Sequence, residues 1–193
     1  MNRLFREGET FNKVDFTQNS LQVGEYESCS FVSCDFSNSS LADNVFMDCK
    51  FENCNLSMVK LNDTALRETR FTNCKMLGLH FDECNEIGLS VSFDNCILNH
   101  SSFYKTTLKR TIFKSSKLED VDFSDCDLSN STFDNCDLLK ATFDNTNIEK
   151  TDFRTSFNYS IDPGKNHIRK AKFSFTGIAG LLDKYDIEID FRS

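Results

Sequence analysis

Nine cysteines and three histidines are the residues of this 193-residue chain whose chemistry would matter most if they converged. Thiolates and imidazoles bind zinc when four of them meet with short-loop spacing. Two thiols form a disulfide when their Cβ atoms approach closely. The stretch CKFENCNL, residues 49–56, holds two cysteines five residues apart, and that interval decides the question. Cys29, Cys34, Cys49, Cys54, Cys74, Cys84, Cys96, Cys126 and Cys136 all fall on one five-residue register, with a phase change between Cys84 and Cys96. A register of this kind dictates spacing by itself, so the thiols read as core side chains of a repeat. Of His80, His100 and His167, the first two lie at outward positions of the same register, and no cysteine or aspartate pairing recurs around them. No serine or threonine has a histidine–acid partner legible in the sequence. DPGKN, residues 162–166, lacks the rest of a phosphate loop. The expectation is a protein with no catalytic residues, metal or cofactor.

The elements that must position these residues follow from the apolar pattern. Stepping by five from Phe11 through Phe16, Leu21, Tyr26, Phe31 and onward to Phe81 meets a large apolar residue every time. The next step falls on Glu86. The series resumes at Phe93, two residues out of phase, and runs unbroken to Phe153. A helix has a period of 3.6 and a half-buried strand a period of 2, so neither accounts for five. A coil whose sides are each one pentapeptide long places every central residue, position i, inside. Position i−2 lies on the same side of an extended segment and also points inward. All nine cysteines sit at i−2, and the remaining i−2 residues are mostly Ser, Thr or Ala. Free cysteine suits such a slot, because it behaves as a small hydrophobe. Four pentapeptides close a square coil of 20 residues. On it, the second-half alternation of Phe with Leu or Ile puts phenylalanine on two opposite walls. The interruption at 84–92 is expected to seat Ile87 in the broken core position and to push Glu86 outward.

Composition bounds the rest. The net charge is −8, from 22 basic and 30 acidic residues. That excludes a generic nucleic-acid binder, which needs a basic footprint, and permits a protein that offers carboxylates where a partner expects phosphates. No segment supplies the roughly 18 apolar residues of a membrane span, and the first residues carry no apolar signal region. A soluble, cytoplasmic protein with reduced thiols is expected.

The tandem units CDFSN SSLAD NVFMD CKFEN CNLSM and VDFSD CDLSN STFDN CDLLK ATFDN resemble the pentapeptide-repeat family. The resemblance covers about residues 9–157. It implies an all-β protein, a right-handed quadrilateral β-helix of about seven coils, with residues 1–8 as an N-terminal cap. Residues 158–193 are expected to form an exit loop and a small C-terminal helix-plus-strand module. There Thr176 is a candidate N-cap, Ile178, Leu181, Leu182 and Tyr185 follow helical spacing, and DIEIDF alternates like a strand.

The tail is similar to the module by which topoisomerase-protecting members of the family, the Qnr fluoroquinolone-resistance proteins among them, dimerise end to end. That similarity implies a homodimer built on Phe173, Phe175, Ile178, Leu181, Leu182, Tyr185, Ile187 and Ile189. It also implies a DNA-mimicking rod that binds DNA gyrase or topoisomerase IV and modulates it or shields it from quinolone-like poisons, without touching nucleic acid or membrane. Residues 105–117 carry net +5 and residues 118–153 net −8. The candidate partner-binding zone is therefore Glu119, Asp120, Asp122, Asp125, Asp127, Asp134, Asp137, Asp144 and Glu149. Two readings of this zone stand open: a docking face, or a solvated surface whose Asp at i−1 bonds turn backbone. A non-enzymatic scaffold for another protein is the alternative function. The chain has no counterpart of the larger projecting loop of the Qnr proteins, only the two extra residues near 84–92.

Overall fold

The computed structural model describes residues 4–190. The chain winds as a four-sided β-helix in which every ladder is parallel. The first wall is a seven-stranded sheet in the order β11-β10-β9-β8-β6-β4-β2. Its strands are β2 (Thr10–Asn12), β4 (Ser30–Val32), β6 (Lys50–Glu52), β8 (Thr69–Thr72), β9 (Val91–Asp94), β10 (Ile112–Lys114) and β11 (Thr132–Asp134). The fourth wall begins as a four-stranded sheet, β1 (Leu4–Glu7), β3 (Gly24–Glu27), β5 (Val45–Met47) and β7 (Ala65–Arg67). The second and third walls are joined by isolated parallel bridges such as Asp35↔Asn55 and Ser102↔Asp122. In-register pairing, Phe31↔Phe51 for example, sets each residue on its equivalent one coil away.

The ring column of the first wall is continuous. Phe11, Phe31, Phe51, Phe71, Phe93, Phe113, Phe133, Phe153 and Phe173 stack face to face, with neighbouring centroids 4.6–5.5 Å apart. Phe81, Phe103, Phe123 and Phe143 stack on the opposite wall. Across the core the two columns meet edge to face: Phe103 and Phe113 lie 6.0 Å apart at 87°, and Phe123 and Phe133 5.8 Å apart at 88°. Offset-stacked and edge-on contacts are the two geometries the ring quadrupole favours. This is the large-against-large diagonal expected from the alternation of Phe with Leu.

Two features explain which residues occupy which positions. The residue at i+2 turns most corners with positive φ, for example Asn38 (57°), Asp63 (52°), Asn95 (53°), Asp125 (56°) and Lys150 (60°). That left-handed region disfavours most L-residues and is tolerated best by Gly, Asn and Asp. The i−2 side chains are hydrogen-bond donors as well as core filler. Cys54 Sγ donates to Phe31 O (3.2 Å), Thr64 Oγ1 to Leu41 O (2.8 Å), Ser131 Oγ to Leu108 O (2.8 Å) and Thr151 Oγ1 to Leu128 O (2.7 Å). Each adds a bond to a carbonyl of the preceding coil, three of which (Leu41, Leu108 and Leu128) also accept a backbone N–H, and alanine could not add it.

The interruption differs from expectation. Asn85 N bonds Thr64 O at 3.0 Å and Ser90 N bonds Leu66 O at 2.9 Å, so the extra residues bulge between those two anchors. Leu89, half-buried, packs on the core at the broken position. Ile87 stands at the tip of the bulge, 70% exposed, beside Gly88 at φ 74°. Glu86 is exposed, as expected.

The ladder also runs past residue 157. The bridges Asn147↔His167 and Asp152↔Lys172 add a further partial coil before the tail begins. The tail itself is two short 3₁₀ helices, Thr176–Leu181 and Asp183–Tyr185, where a regular helix was expected. Thr176 is not the N-cap; Ser174 Oγ instead accepts from Gly177 N at 3.0 Å. Gly177 and Gly180 lower the helix propensity of the segment. Residues 186–190 pair with no strand among the described residues, and Phe191 of the DIEIDF stretch lies outside them.

Candidate protein-binding surface

Side chains at i−1, i+1 and i+2 form the outer surface, so the 20-residue coil decides which charges share a wall. The nine acidic candidates do not share one. Glu119, Asp120 and Asp137 lie on the second wall, Asp122, Asp125 and Asp144 on the third, Asp127 and Glu149 on the fourth and Asp134 on the first. Most are also engaged along the rod axis. Asp120 meets His100 Nδ1 at 3.0 Å, Asp127 meets Lys109 Nζ at 3.2 Å and Asp144 meets Lys165 Nζ at 4.0 Å. Asn99 Nδ2 donates to Glu119, Asn145 Nδ2 to Asp125, Thr155 Oγ1 to Asp134 and Asn158 Nδ2 to Asp137.

Backbone geometry accounts for several of these acids. Asp122, Asp127, Asp137 and Asp152, at i−1, accept from the backbone N–H of Ser124, Ser129, Leu139 and Arg154. These are Asx turns, as the sequence indicated for i−1. Asp125, however, turns a left-handed corner, so its residue type has a local reason that the five-residue register alone does not disclose.

The third wall is the acidic one. It carries Asp43, Asp63, Asp82, Glu83, Asp122, Asp125, Asp144 and Asp162 against Lys60, Lys105 and Lys165. Asp43 and Asp63 occupy one left-handed corner on successive coils, about 4.8 Å apart along the axis, and Glu83, in the 3₁₀ turn Phe81–Glu83, follows on the next, its carbonyl accepting from Asp63 N at 2.9 Å. The corresponding corner of the first wall is built from neutral amides, Asn53, Asn73 and Asn95, with Asn95 Nδ2 bonded to Asn73 Oδ1 at 2.8 Å. The first wall is balanced in charge: Arg70 pairs with Asp48, Lys114 with Asp94 and Arg154 with Asp152. The acids of residues 43–83 were missed as candidates, because net charge was summed along the chain. Folding the sequence into coils of 20 and reading the i+2 column would have found them.

The thiols face the core, apart from half-buried Cys84. Burial pushes Cys49, Cys126 and Cys136 up to about 12, so none of the three presents a thiolate near neutrality. Among the described residues, no group of three or more His, Cys, Asp or Glu side chains is placed to hold a metal ion. No helix among the described residues is long and apolar enough to cross a membrane.

Of the candidate dimer residues, Phe173 stacks on Phe153 and belongs to the core column. Leu181 and Leu182 are half-buried, and Leu181 packs on the core. Phe175 (77% exposed), Ile178, Tyr185, Ile187 and Ile189 are exposed. The 3₁₀ segment sits tightly on the last coil: Ile161 N bonds Gly180 O at 2.9 Å, and a Cβ on Gly177 or Gly180 would overlap the hydroxyl or the carbonyl oxygen of Tyr159. Lys184 Nζ meets Asp162 Oδ1 at 2.6 Å and ties the tail to the turn at Pro163.

Comparison with known proteins agrees with this geometry. No curated protein matches the chain. Among solved structures, a trypsin-treated variant of QnrB1, a plasmid-mediated fluoroquinolone resistance protein, superposes with a TM-score of 0.62 at 18% identity, covering 98% of this chain and 100% of that one. A second trypsin-treated variant gives 0.63 at 16% identity over 96% and 99% of the two chains. Full-length QnrB1 gives 0.52 at 18% identity over 95% and 100%. These likenesses establish the fold. The family profile for the pentapeptide repeat region matches residues 24–86 and 89–158, and the two stretches part at Ile87 and Gly88, the tip of the bulge. The chain belongs to the pentapeptide-repeat family.

Proposed function

We propose that this protein is a non-enzymatic, DNA-mimicking rod that binds a type II topoisomerase, DNA gyrase or topoisomerase IV, and modulates it or protects it from quinolone-like poisons. The observation that carries the reading is the third wall, where carboxylates recur along a straight rod at coil spacing. A cationic groove shaped for duplex DNA meets such a wall with the complementary charge it uses for phosphates, and association would be steered and salt-sensitive. The fold likeness to QnrB1 over nearly the whole chain supports the same reading. The working unit is a homodimer joined through the exposed apolar residues of the C-terminal segment, which would double the length of the acidic wall. It acts in the cytoplasm, where its target is found.

A scaffold for another protein is favoured by one specific observation: the acids of residues 118–153 are spread over all four walls and are largely engaged within the chain.

A supercoiling assay with gyrase, titrated with this protein in the presence and absence of a fluoroquinolone, tests the proposal. Rescue of supercoiling, or inhibition without drug, is expected. Both should be lost in Asp63→Asn/Asp125→Asn/Asp144→Asn, which keeps side chains suited to these turns while removing three charges from the third wall. No effect in either arm, or an undiminished effect in the triple variant, would overturn it.

A further inference from the structure

At the edge between the first and second walls, in the middle of the rod, a groove of about 280 Å³ is lined by Asn73, Lys75, Asn95, Ile97, Ser115 and Lys117, with two buried thiols beneath. Its chemistry is opposite to that of the molecule around it. The other surface clefts described each carry a carboxylate: Asp183 in one, Asp82 and Glu86 in the next, Glu68 in the third. This groove has none, on a chain of net charge −8.

Some cations of this rod pair with a carboxylate one coil away, as Lys114 does with Asp94, Lys109 with Asp127 and Lys172 with Asp152. Lys75 and Lys117 have no carboxylate oxygen within 4.0 Å among the described residues. Asp137, one coil beyond Lys117, spends Oδ1 on Leu139 N (3.2 Å) and Asn158 Nδ2 (2.8 Å) instead. Lys75 and Lys117 stand at the same i−1 position two coils apart, about 10 Å along the axis. Ile97, 37% exposed, lies on the rung between them. The two flexible ammonium-tipped stems can close over Ile97 onto one anion. Asn95 uses one amide hydrogen on Asn73 Oδ1, which leaves its second hydrogen, the Asn73 amide and the Ser115 hydroxyl as further donors.

We propose that this groove binds a phosphate dianion, either free or as the terminal group of a phosphate monoester whose organic body rests on Ile97. Two lysines match the double charge, and the neutral donors of the amide corner complete its acceptor oxygens. The site is independent of the acidic third wall and of any topoisomerase partner.

Calorimetric titration of the full chain with inorganic phosphate and with a nucleoside monophosphate, at about 0.15 M ionic strength to screen diffuse attraction, tests this. One saturable site per chain is expected for at least one ligand, weakened at least tenfold in Lys75→Gln/Lys117→Gln and unchanged in Lys60→Gln on the third wall. Both variants change exposed side chains, and an unaltered melting temperature verifies the fold. Tighter binding of the monoester that is lost in Ile97→Ser identifies the ester as the ligand; equal binding of both identifies free phosphate. Absence of saturable binding by either ligand, or equal binding by the double-lysine variant, would overturn the proposal.

Discussion

The ring of Phe173 lies 5.4 Å from that of Phe153 with the two planes 2° apart, so the last member of the ring column comes from the segment that follows the recognisable repeat. Phe173 thus closes the exposed end of a stacked core, and its contribution is to stability first. Phe173→Ala is expected to destabilise the protein by about 3 kcal/mol, toward the lower end for a phenylalanine truncation because the site is only half-buried. Phe175→Ala, at an exposed neighbour, should leave stability within about 0.5 kcal/mol of the parent. Chemical denaturation of the two variants separates them, and equal midpoints would contradict the assignment.

Gly180 lets the carbonyl of Tyr159 approach the tail more closely than any other residue would allow. Gly180→Ala is expected to lift the 3₁₀ segment off the last coil while the β-helix stays folded. If the tail is the dimer contact, light scattering will report a monomer at concentrations where the parent is dimeric, with far-UV circular dichroism unchanged. A dimer that persists would place the contact elsewhere.

Thr151 donates to Leu128 O from a fully buried position. Thr151→Val keeps the shape and removes the donor; Leu128 O keeps its bond from Ser131 N (3.0 Å), so the cost is that of one lost hydrogen bond, about 1 kcal/mol. Thr151→Cys, which restores a weaker donor of the kind found at Cys54, should recover part of that loss. A valine variant as stable as the parent would show that the i−2 slot selects for size alone.

The pH dependence of the tail follows from Asp162. The hydrogen bond from Lys184 Nζ, and then that from Gly164 N, hold its carboxyl below the ordinary carboxylate range. A carboxyl with a depressed folded-state value contributes stability that is present above its unfolded value, near 3.9, and is lost as pH falls through the lower folded value. Hydrogen exchange of residues 176–185 is therefore expected to accelerate relative to the coils as pH is taken below about 4, after correction for intrinsic rates. Asp162→Asn should abolish that pH-dependent difference. The same acceleration in Asp162→Asn would assign it to another group.

Much of this architecture was legible in the sequence because the five-residue register is a local property. Position i and position i−2 point inward whatever lies on the neighbouring coil, so the Phe columns, the buried thiols and the four walls could be read by counting. The Asx turns at i−1 were legible for the same reason, since each is closed within three residues. The bulge was not. Ile87 and Leu89 are both large and aliphatic, and only the anchors at Thr64 O and Leu66 O decide which one the core receives. The tail was misread because Ile178, Leu181, Leu182 and Tyr185 have helical spacing, while the close approach to Tyr159 and the two glycines hold the backbone in tighter turns. The acidic surface was misplaced because charge along the chain and charge along a wall are different sums. Asp134 and Asp144 are ten residues apart in sequence yet lie on opposite sides of the rod, whereas Asp43 and Asp63 are twenty apart and share a corner. The sequence by itself determined what is inside this protein, since inward pointing repeats with the chain. Which surface groups stand together was decided only by the tertiary structure, because a coil brings residues i and i+20 within about 5 Å and sends those in between to the other three walls.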